Sequence, residues 1–377
     1  MKILLVVNRR ITALQYFRQD MPHDVMQRLY PDVKICKMTS DEDGCPDIMQ
    51  MDEALLEKFD IISYLRQITF DKELNKKTTE YLHSKGKKII FDIDDWWKLP
   101  KSNLSYDASK INNYCDITQT LLPEMDIVTT TTDYLAERIY EYNKNVFVLP
   151  NCIDPLRGQF VPRKINNSRI RFGWVGGVHH LPDIEIMLES LKKVHLLKNI
   201  QLCLGGFNLG SEVYIKMENI FTNNYRLLWD DKPYLEYLSL GTPAVEHVAF
   251  DKPYRRLWSR DINNYADIYN DIDVALVPLE DNPFNRCKSE LKLIEAGWMG
   301  KPVIASDIPP YSDVIEHGMD GFLVSPFRNN IDWYVFIKKF ADNPGLIKEM
   351  GDRLQKKIKE KFDINEVAKK RFDLYAK

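Results

Sequence analysis

Residues 274–324 read VALVPLEDNPFNRCKSELKLIEAGWMGKPVIASDIPPYSDVIEHGMDGFLV. An apolar run at 274–277 ends at Pro278 and opens into a polar loop, 280–286. A helical pattern then runs from about Lys288 to Trp298 and stops at Gly300. A second apolar run, 302–305, begins at once, and a third, 321–324, follows. Short apolar runs bounded by turn residues and separated by a helix are the pattern of a parallel sheet with crossover helices. The loop at a strand's carboxyl end leads into a helix whose first N–H groups lack intrahelical partners, a ready seat for a diphosphate.

The same alternation extends to both ends of the chain. Strands are predicted at 3–7, 33–37, 61–64, 88–92, 127–130 and 146–149, and again at 170–175, 200–204, 244–250, 274–278, 302–305 and 321–324. Residues 71–84 place Leu74, Tyr81 and Leu82 at helix-compatible spacing with Gly86 as a stop, and 133–142 follows a Thr132 cap. Between the two sets lies PNCIDPLRGQFVPRKINN, 150–167, aperiodic and rich in Pro and Asn, which reads as a linker. The expectation is an α/β chain of two Rossmann-like, doubly wound domains, 1–155 and 168–355, facing across a cleft, with ligands at the carboxyl ends of the strands. A last helix, 356–377, is expected to pack back toward the N-terminal domain. Its lysines 356, 357, 359, 361, 369 and 370 read either as a solvated face or as a peripheral contact with acidic lipid, over a stripe of Leu354, Ile358, Phe362, Val367 and Phe372.

A length of 377 residues suits two cores, and 44% hydrophobic content excludes global disorder. The net charge of −3 gives no whole-protein argument for a nucleic-acid partner. Six cysteines are scattered without a CxxC pair or zinc-ligand spacing, as thiols in a reducing compartment would be. The opening MKILLVVNRR is too short an apolar run for a signal peptide or a membrane span and reads as a first strand, so a cytoplasmic protein is expected.

The candidate site residues follow from their chemistry. Lys288 and Lys292, four apart with Ser289 between them, would share a face at the start of the 288–298 helix. Cations there oppose the helix dipole, and a bound anion reverses that sign. Exposed lysines are the alternative. Glu295, seven after Lys288, would lie on the same face, where a carboxylate can accept hydrogen bonds from a ribose diol. In RFGWVGGVHHLPDIE, 171–185, a strand ends at Gly176-Gly177, which leaves room for close approach of a phosphate or sugar. His179 and His180 follow as ligand contacts or as turn residues. In FDIDDWWKLP, 91–100, Asp92, Asp94 and Asp95 repel one another and want arginines, sugar hydroxyls or a cation. Trp96 and Trp97 could stack on a sugar ring or pack in the core. NRRITALQYFRQDMP, 8–22, carries Arg9, Arg10 and Arg18, which could meet a phosphate or lie on the surface. It lacks GxGxxG, which argues against a dinucleotide oxidoreductase.

In these residues the chain resembles the retaining GT-B glycosyltransferases of family 4 (glycosyl transferases group 1), most strongly over 264–324. LIEAGWMGKPVIASD matches the second half of that family's Glu-x7-Glu region and places Glu295 at the second glutamate, which binds the donor ribose. Cys287 stands where the first glutamate touches the transferred sugar, a departure that puts sugar choice and activity in question. FNRCKSELKLIE resembles a variant pattern, implying that Asn285, Lys288, Ser289 and Lys292 take over sugar and phosphate contacts. The resemblance implies transfer of a sugar from a UDP- or GDP-sugar to an acceptor hydroxyl, with retention, in glycan or polysaccharide biosynthesis. Lys288, Lys292 and Asp94 are then the catalytic candidates. Gly176, Gly177, His179, Asn285, Ser289, Glu290, Leu291 and Glu295 are the donor-binding candidates. Arg9, Arg10, Asp92 and Asp95 are assigned to acceptor or sugar. No cofactor or metal is expected, the nucleotide-sugar being a substrate. The acceptor is a saccharide, a lipid-linked molecule or a protein. The alternatives are a non-catalytic relative that binds a nucleotide-sugar and a GT-B nucleotide-sugar epimerase.

Overall fold

The computed structural model describes residues 1–8, 12–39, 45–165, 167–208, 210–222, 253–328 and 331–377. The first set of apolar runs forms β1 (Lys2–Val7), β2 (Lys34–Thr39), β3 (Ile61–Leu65), β4 (Lys88–Asp92), β5 (Ile127–Thr130) and β6 (Val146–Val148). They lie in the order β2-β1-β3-β4-β5-β6, every neighbour parallel. Strand β2 is an edge, and its sequence KICKMT buries no residue fully. β3 and β5 are buried throughout, as parallel strands covered on both faces should be.

The second set forms β7 (Ile170–Val175), β8 (Ile200–Phe207), β9 (Tyr254–Trp258), β10 (Val274–Val277), β11 (Val303–Ser306) and β12 (Gly321–Val324). Their order is β12-β11-β10-β7-β8-β9, again parallel. Counted from β7, that is the dinucleotide-fold order, in which the winding reverses between the first and fourth strands. The reversal here falls between β7 and β10. The strand expected at 244–250 lies outside the described residues. β9, in contrast, was not expected. Its second and third residues are Arg255 and Arg256, and both are buried. Arg255 reaches Asp271 at 3.0 Å, and Arg256 grips Glu218, with Nη2 2.9 Å from Oε2.

Local signals set the helices. Asp71 accepts the Leu74 N–H at 3.0 Å to start the helix Lys72–Ser84, and Gly86, at φ 65°, ends it. Thr132 caps Asp133–Tyr140.

The chain packs as two compact units. Met1–Asp154 gathers Asn282–Leu291 and Phe362–Lys377, and Pro155–Asp281 gathers Lys292–Lys361. The first core runs through Leu4, Ile62, Phe91 and Val128 and includes Cys287. The second runs through Phe172, Leu202, Leu276 and Phe340. The C-terminal stripe divides between them. Leu354 and Ile358, on Gly345–Lys361, pack under Gly297 in the second unit. Ile364–Ala376 packs on Met21–Leu29 in the first, where Phe372 stacks on Tyr30 with centroids 3.8 Å apart. Lysines 356, 359, 361, 369 and 370 are exposed, whereas Lys357 pairs with Asp320. Among the described residues, no helix is long and apolar enough to cross a membrane.

Candidate ligand site at the carboxyl ends of β7 and β10

At the winding reversal of the second sheet, β7 ends in Gly176-Gly177 and continues into the short turn Val178–His180. Gly176 is a glycine because the site is crowded. A Cβ there would come within 2.7 Å of the Trp174 ring and 3.0 Å of the Lys292 ammonium. Tyr214 fixes the turn from behind, its hydroxyl donating to the Gly176 carbonyl at 3.0 Å. Asp183 ties the two strand ends together. One oxygen accepts the Glu280 N–H after β10 at 2.9 Å, and the other lies 2.7 Å from His180 Nδ1. His180 thus takes the turn role. His179 is exposed on the same turn.

Lys292 reaches Gly176 from the second position of the helix Leu291–Trp298, where a cation opposes the helix dipole. Its ammonium stands 5.8 Å from the centre of the Trp174 ring. Glu295, one turn on, is 5% exposed. Tyr265 donates to its Oε1 and Tyr269 to its Oε2, the latter at 2.8 Å. Burial pushes this carboxyl above its ordinary range, against the opposing pull of Tyr265, Lys292 and Tyr269. Gly176, Lys292 and Glu295 are therefore brought together in one unit.

The helix begins later than the sequence pattern indicated. Asn282 Oδ1 accepts the Asn285 N–H at 2.8 Å and closes a separate turn, Asn285–Cys287. Lys288 follows in extended geometry, φ −67° and ψ 161°, so Lys288 and Lys292 do not share a helical face. The segment Asn282–Leu291 packs with the first unit. There Ser289 Oγ accepts from Asn151 at 2.9 Å, and the Lys288 ammonium lies over the Phe284 ring at 5.1 Å. Asn285 and Glu290 are buried, and Leu291 is half-buried. Cys287, in the first glutamate's place, is fully buried, and burial pushes its thiol up to about 11. A neutral buried thiol supplies none of a carboxylate's charge at neutral pH.

The aspartates at the end of β4 separate into two kinds. Asp92, expected to contact acceptor or sugar, is instead 1% exposed and structural. Its oxygens accept Arg18 Nε at 2.8 Å, Arg18 Nη2 at 2.9 Å and Thr129 Oγ1 at 2.6 Å. Arg18 is correspondingly a core residue. Asp94 and Asp95 are half-buried, and Arg66 answers both. Burial holds the Asp94 carboxyl above its usual range, although Arg66 draws it down. Trp97 packs in the core at 1% exposure, while Trp96 is half-buried beside Lys98. Arg9 and Arg10 lie outside the described residues. Tyr214, Tyr265 and Tyr269 were missed by sequence reasoning. No local motif marks them: Tyr214 comes from the helix Glu212–Thr222, and Tyr265 and Tyr269 from the turn Tyr265–Asp271.

Residues 255–335, which contain Tyr265, Tyr269, Lys292 and Glu295, match the model of the family described as Glycosyl transferases group 1. No curated protein matches the sequence. Among solved structures, the chain is similar to sucrose-phosphate synthase from Thermosynechococcus elongatus, at 15% identity and a TM-score of 0.66, covering 100% of this chain and 98% of that one. It is similar to Anabaena Alr3699/HepE in complex with UDP and glucose, at 13% identity and a TM-score of 0.63, covering 100% and 99%. It is also similar to a glycosyltransferase from Rickettsia africae ESF-5, at 14% identity and a TM-score of 0.64, covering 99% and 97%. The chain therefore has a fold of two parallel α/β sheets similar to that of these solved structures, and its residues 255–335 match the model described as Glycosyl transferases group 1.

Proposed function

We propose that the chain is a glycosyltransferase that seats the diphosphate of a UDP- or GDP-sugar between Lys292 and the Gly176-Gly177 turn and the ribose at Glu295. The sugar passes to an acceptor hydroxyl with retention, in glycan or polysaccharide biosynthesis. One observation carries the reading: the Lys292 ammonium is packed against a glycine, 3.0 Å from where a Cβ would stand, at the winding reversal of a dinucleotide-order sheet. As the bond from sugar to diphosphate breaks, negative charge grows on the leaving oxygens. A cation already held in place stabilises that charge without reorganising. Lys288 is kept as a catalytic candidate, and Asn285, Ser289, Glu290, Leu291 and His179 are kept as donor-binding candidates. Asp94, steadied by Arg66, is assigned a catalytic role, and Asp95, Arg9 and Arg10 are assigned to the acceptor or the sugar. That acceptor is a saccharide, a lipid-linked molecule or a protein. The reaction needs no metal or cofactor in this reading, and the proposed setting is the cytoplasm, where unpaired thiols stay reduced. The HepE structures with UDP and with UDP-glucose support a nucleotide-sugar donor.

Calorimetry with UDP, GDP and ADP tests the seat. Lys292→Ala should weaken the preferred diphosphate at least tenfold, about 1.4 kcal/mol. Equal affinity in the variant contradicts the assignment. The buried Cys287 favours a second reading, binding without transfer. Assays with UDP-, GDP- and ADP-sugars separate the two: transfer or slow donor hydrolysis supports the enzyme, and binding with neither supports the non-catalytic protein.

A further inference from the structure

We infer that Tyr265 and Tyr269 are positioning residues that hold the Glu295 carboxylate for a ribose diol and keep it from pairing with Lys292, an inference that rests on the donor-site reading above. Lys292 and Glu295 are three apart on one helix, a spacing at which opposite charges pair. Such a pair would withdraw the acid from the sugar and the base from the diphosphate together. In the structure, Glu295 turns to the two phenols instead, one on each oxygen. A carboxylate offers about four lone-pair directions. With one taken on each oxygen, one remains on each, which suits the two adjacent hydroxyls of a ribose.

The phenols are fixed as donors and fixed in place. A carboxylate oxygen only accepts, so both hydroxyls donate. Burial pushes the Tyr269 phenol well above its ordinary value, which keeps it protonated. Both tyrosines sit on the turn Tyr265–Asp271, four residues apart. Gln159 staples that turn, accepting the Ala266 N–H at 3.1 Å and donating to the Ile262 carbonyl at 3.0 Å. Phe160 meets the Tyr265 ring edge-on at 6.4 Å, and its carbonyl accepts the Trp298 indole N–H at 3.2 Å, which ties the turn to the helix that bears Glu295.

The test is the ratio of affinities for ribo and 2′-deoxy nucleotides, measured by calorimetry with UDP, GDP and ADP and their 2′-deoxy forms. The wild type should favour the ribo form of its preferred base by about tenfold. Tyr265→Phe and Tyr269→Phe should each cut that ratio at least threefold, and the double variant should abolish it, while affinity for the 2′-deoxy form changes less than twofold. Glu295→Gln, which keeps the side chain's shape, should reduce the ratio in the same way and serves if the double variant does not fold. A ratio that survives in the phenylalanine variants while both affinities fall together would make the tyrosines merely structural and overturn the inference. A wild type that binds diphosphates without ribo preference also overturns it, yet leaves the Lys292 seat standing. Failure to bind any of the three diphosphates counts against the donor-site reading itself.

Discussion

Asp92→Ala is expected to cost the unit containing β1–β6 about 3–5 kcal/mol, the range for breaking a buried ion pair by removing one partner. Arg18 and Asp92 are each 1% exposed and joined by two hydrogen bonds, and Arg371, also buried, lies 3.9 Å from the same carboxylate. Removing the acid leaves two guanidiniums in the interior with their main counter-charge gone. Arg18 retains neutral acceptors, the Leu149 carbonyl at 2.7 Å and Asn151 Oδ1 at 3.1 Å among them, and the weaker pull of Asp94. The pair itself contributes little net stability, because taking both charges out of water costs about what their attraction returns. Arg18→Met with Asp92→Leu should therefore recover much of the loss. Urea unfolding followed by tryptophan fluorescence measures both, and a loss below about 1 kcal/mol for Asp92→Ala would show that the pair is not what holds this end of β4.

The second large effect is in the pH dependence of stability. His23 Nδ1 lies 2.6 Å from the Gln19 carbonyl, which can only accept, so that nitrogen carries the hydrogen. Nε2 then accepts the Tyr375 hydroxyl at 3.2 Å, and the Tyr375 oxygen accepts Arg371 Nη1 at 3.0 Å. The folded ring is neutral: burial first, then Arg371, with Lys37 and Arg18 adding to them, holds it well below its ordinary 6.5. In the unfolded chain the ring titrates near about 6.5. Below that pH the unfolded state binds a proton that the folded state refuses, so stability is full above about pH 7 and falls as pH drops, by up to about 1.4 kcal/mol per pH unit. Between pH 6.5 and 5 the wild type should lose up to about 1.6 kcal/mol more than His23→Gln, which has nothing to titrate there. Unfolding curves at both pH values check this, and parallel losses in the two proteins would contradict it.

These interactions also show what the sequence discloses and what it withholds. β4, β5, β7 and β12 lie where their apolar runs put them, because a buried parallel strand needs only a short run of β-favouring residues between turn signals. β9 was hidden because adjacent arginines interrupt its run. Glu218 and Asp271, which neutralise them, lie 38 and 16 residues away in the chain. The start of the Leu291–Trp298 helix was misplaced for a related reason. Asn282 and Asn151 satisfy the preceding residues from outside any helical period. Asp92 looked like its neighbours Asp94 and Asp95 until Arg18, 74 residues earlier in the chain, was seen to claim it. At the candidate site, Gly176, Lys292 and Glu295 were named from residue type, but the spacing from Lys288 that grouped the last two fails, because Lys288 lies ahead of the helix in extended geometry. The tyrosines that orient Glu295 were not named, since 26 and 30 residues separate them from it and only the fold brings them together.

Lys292 and the Gly176-Gly177 turn are the proposed diphosphate seat. A crystal structure of the chain grown with UDP or GDP tests it most directly. A diphosphate oxygen is expected within hydrogen-bond distance of Lys292 Nζ, beside Gly176 and Gly177, with the ribose hydroxyls on Glu295. Nucleotide bound elsewhere, with this turn filled only by its own side chains, would contradict it.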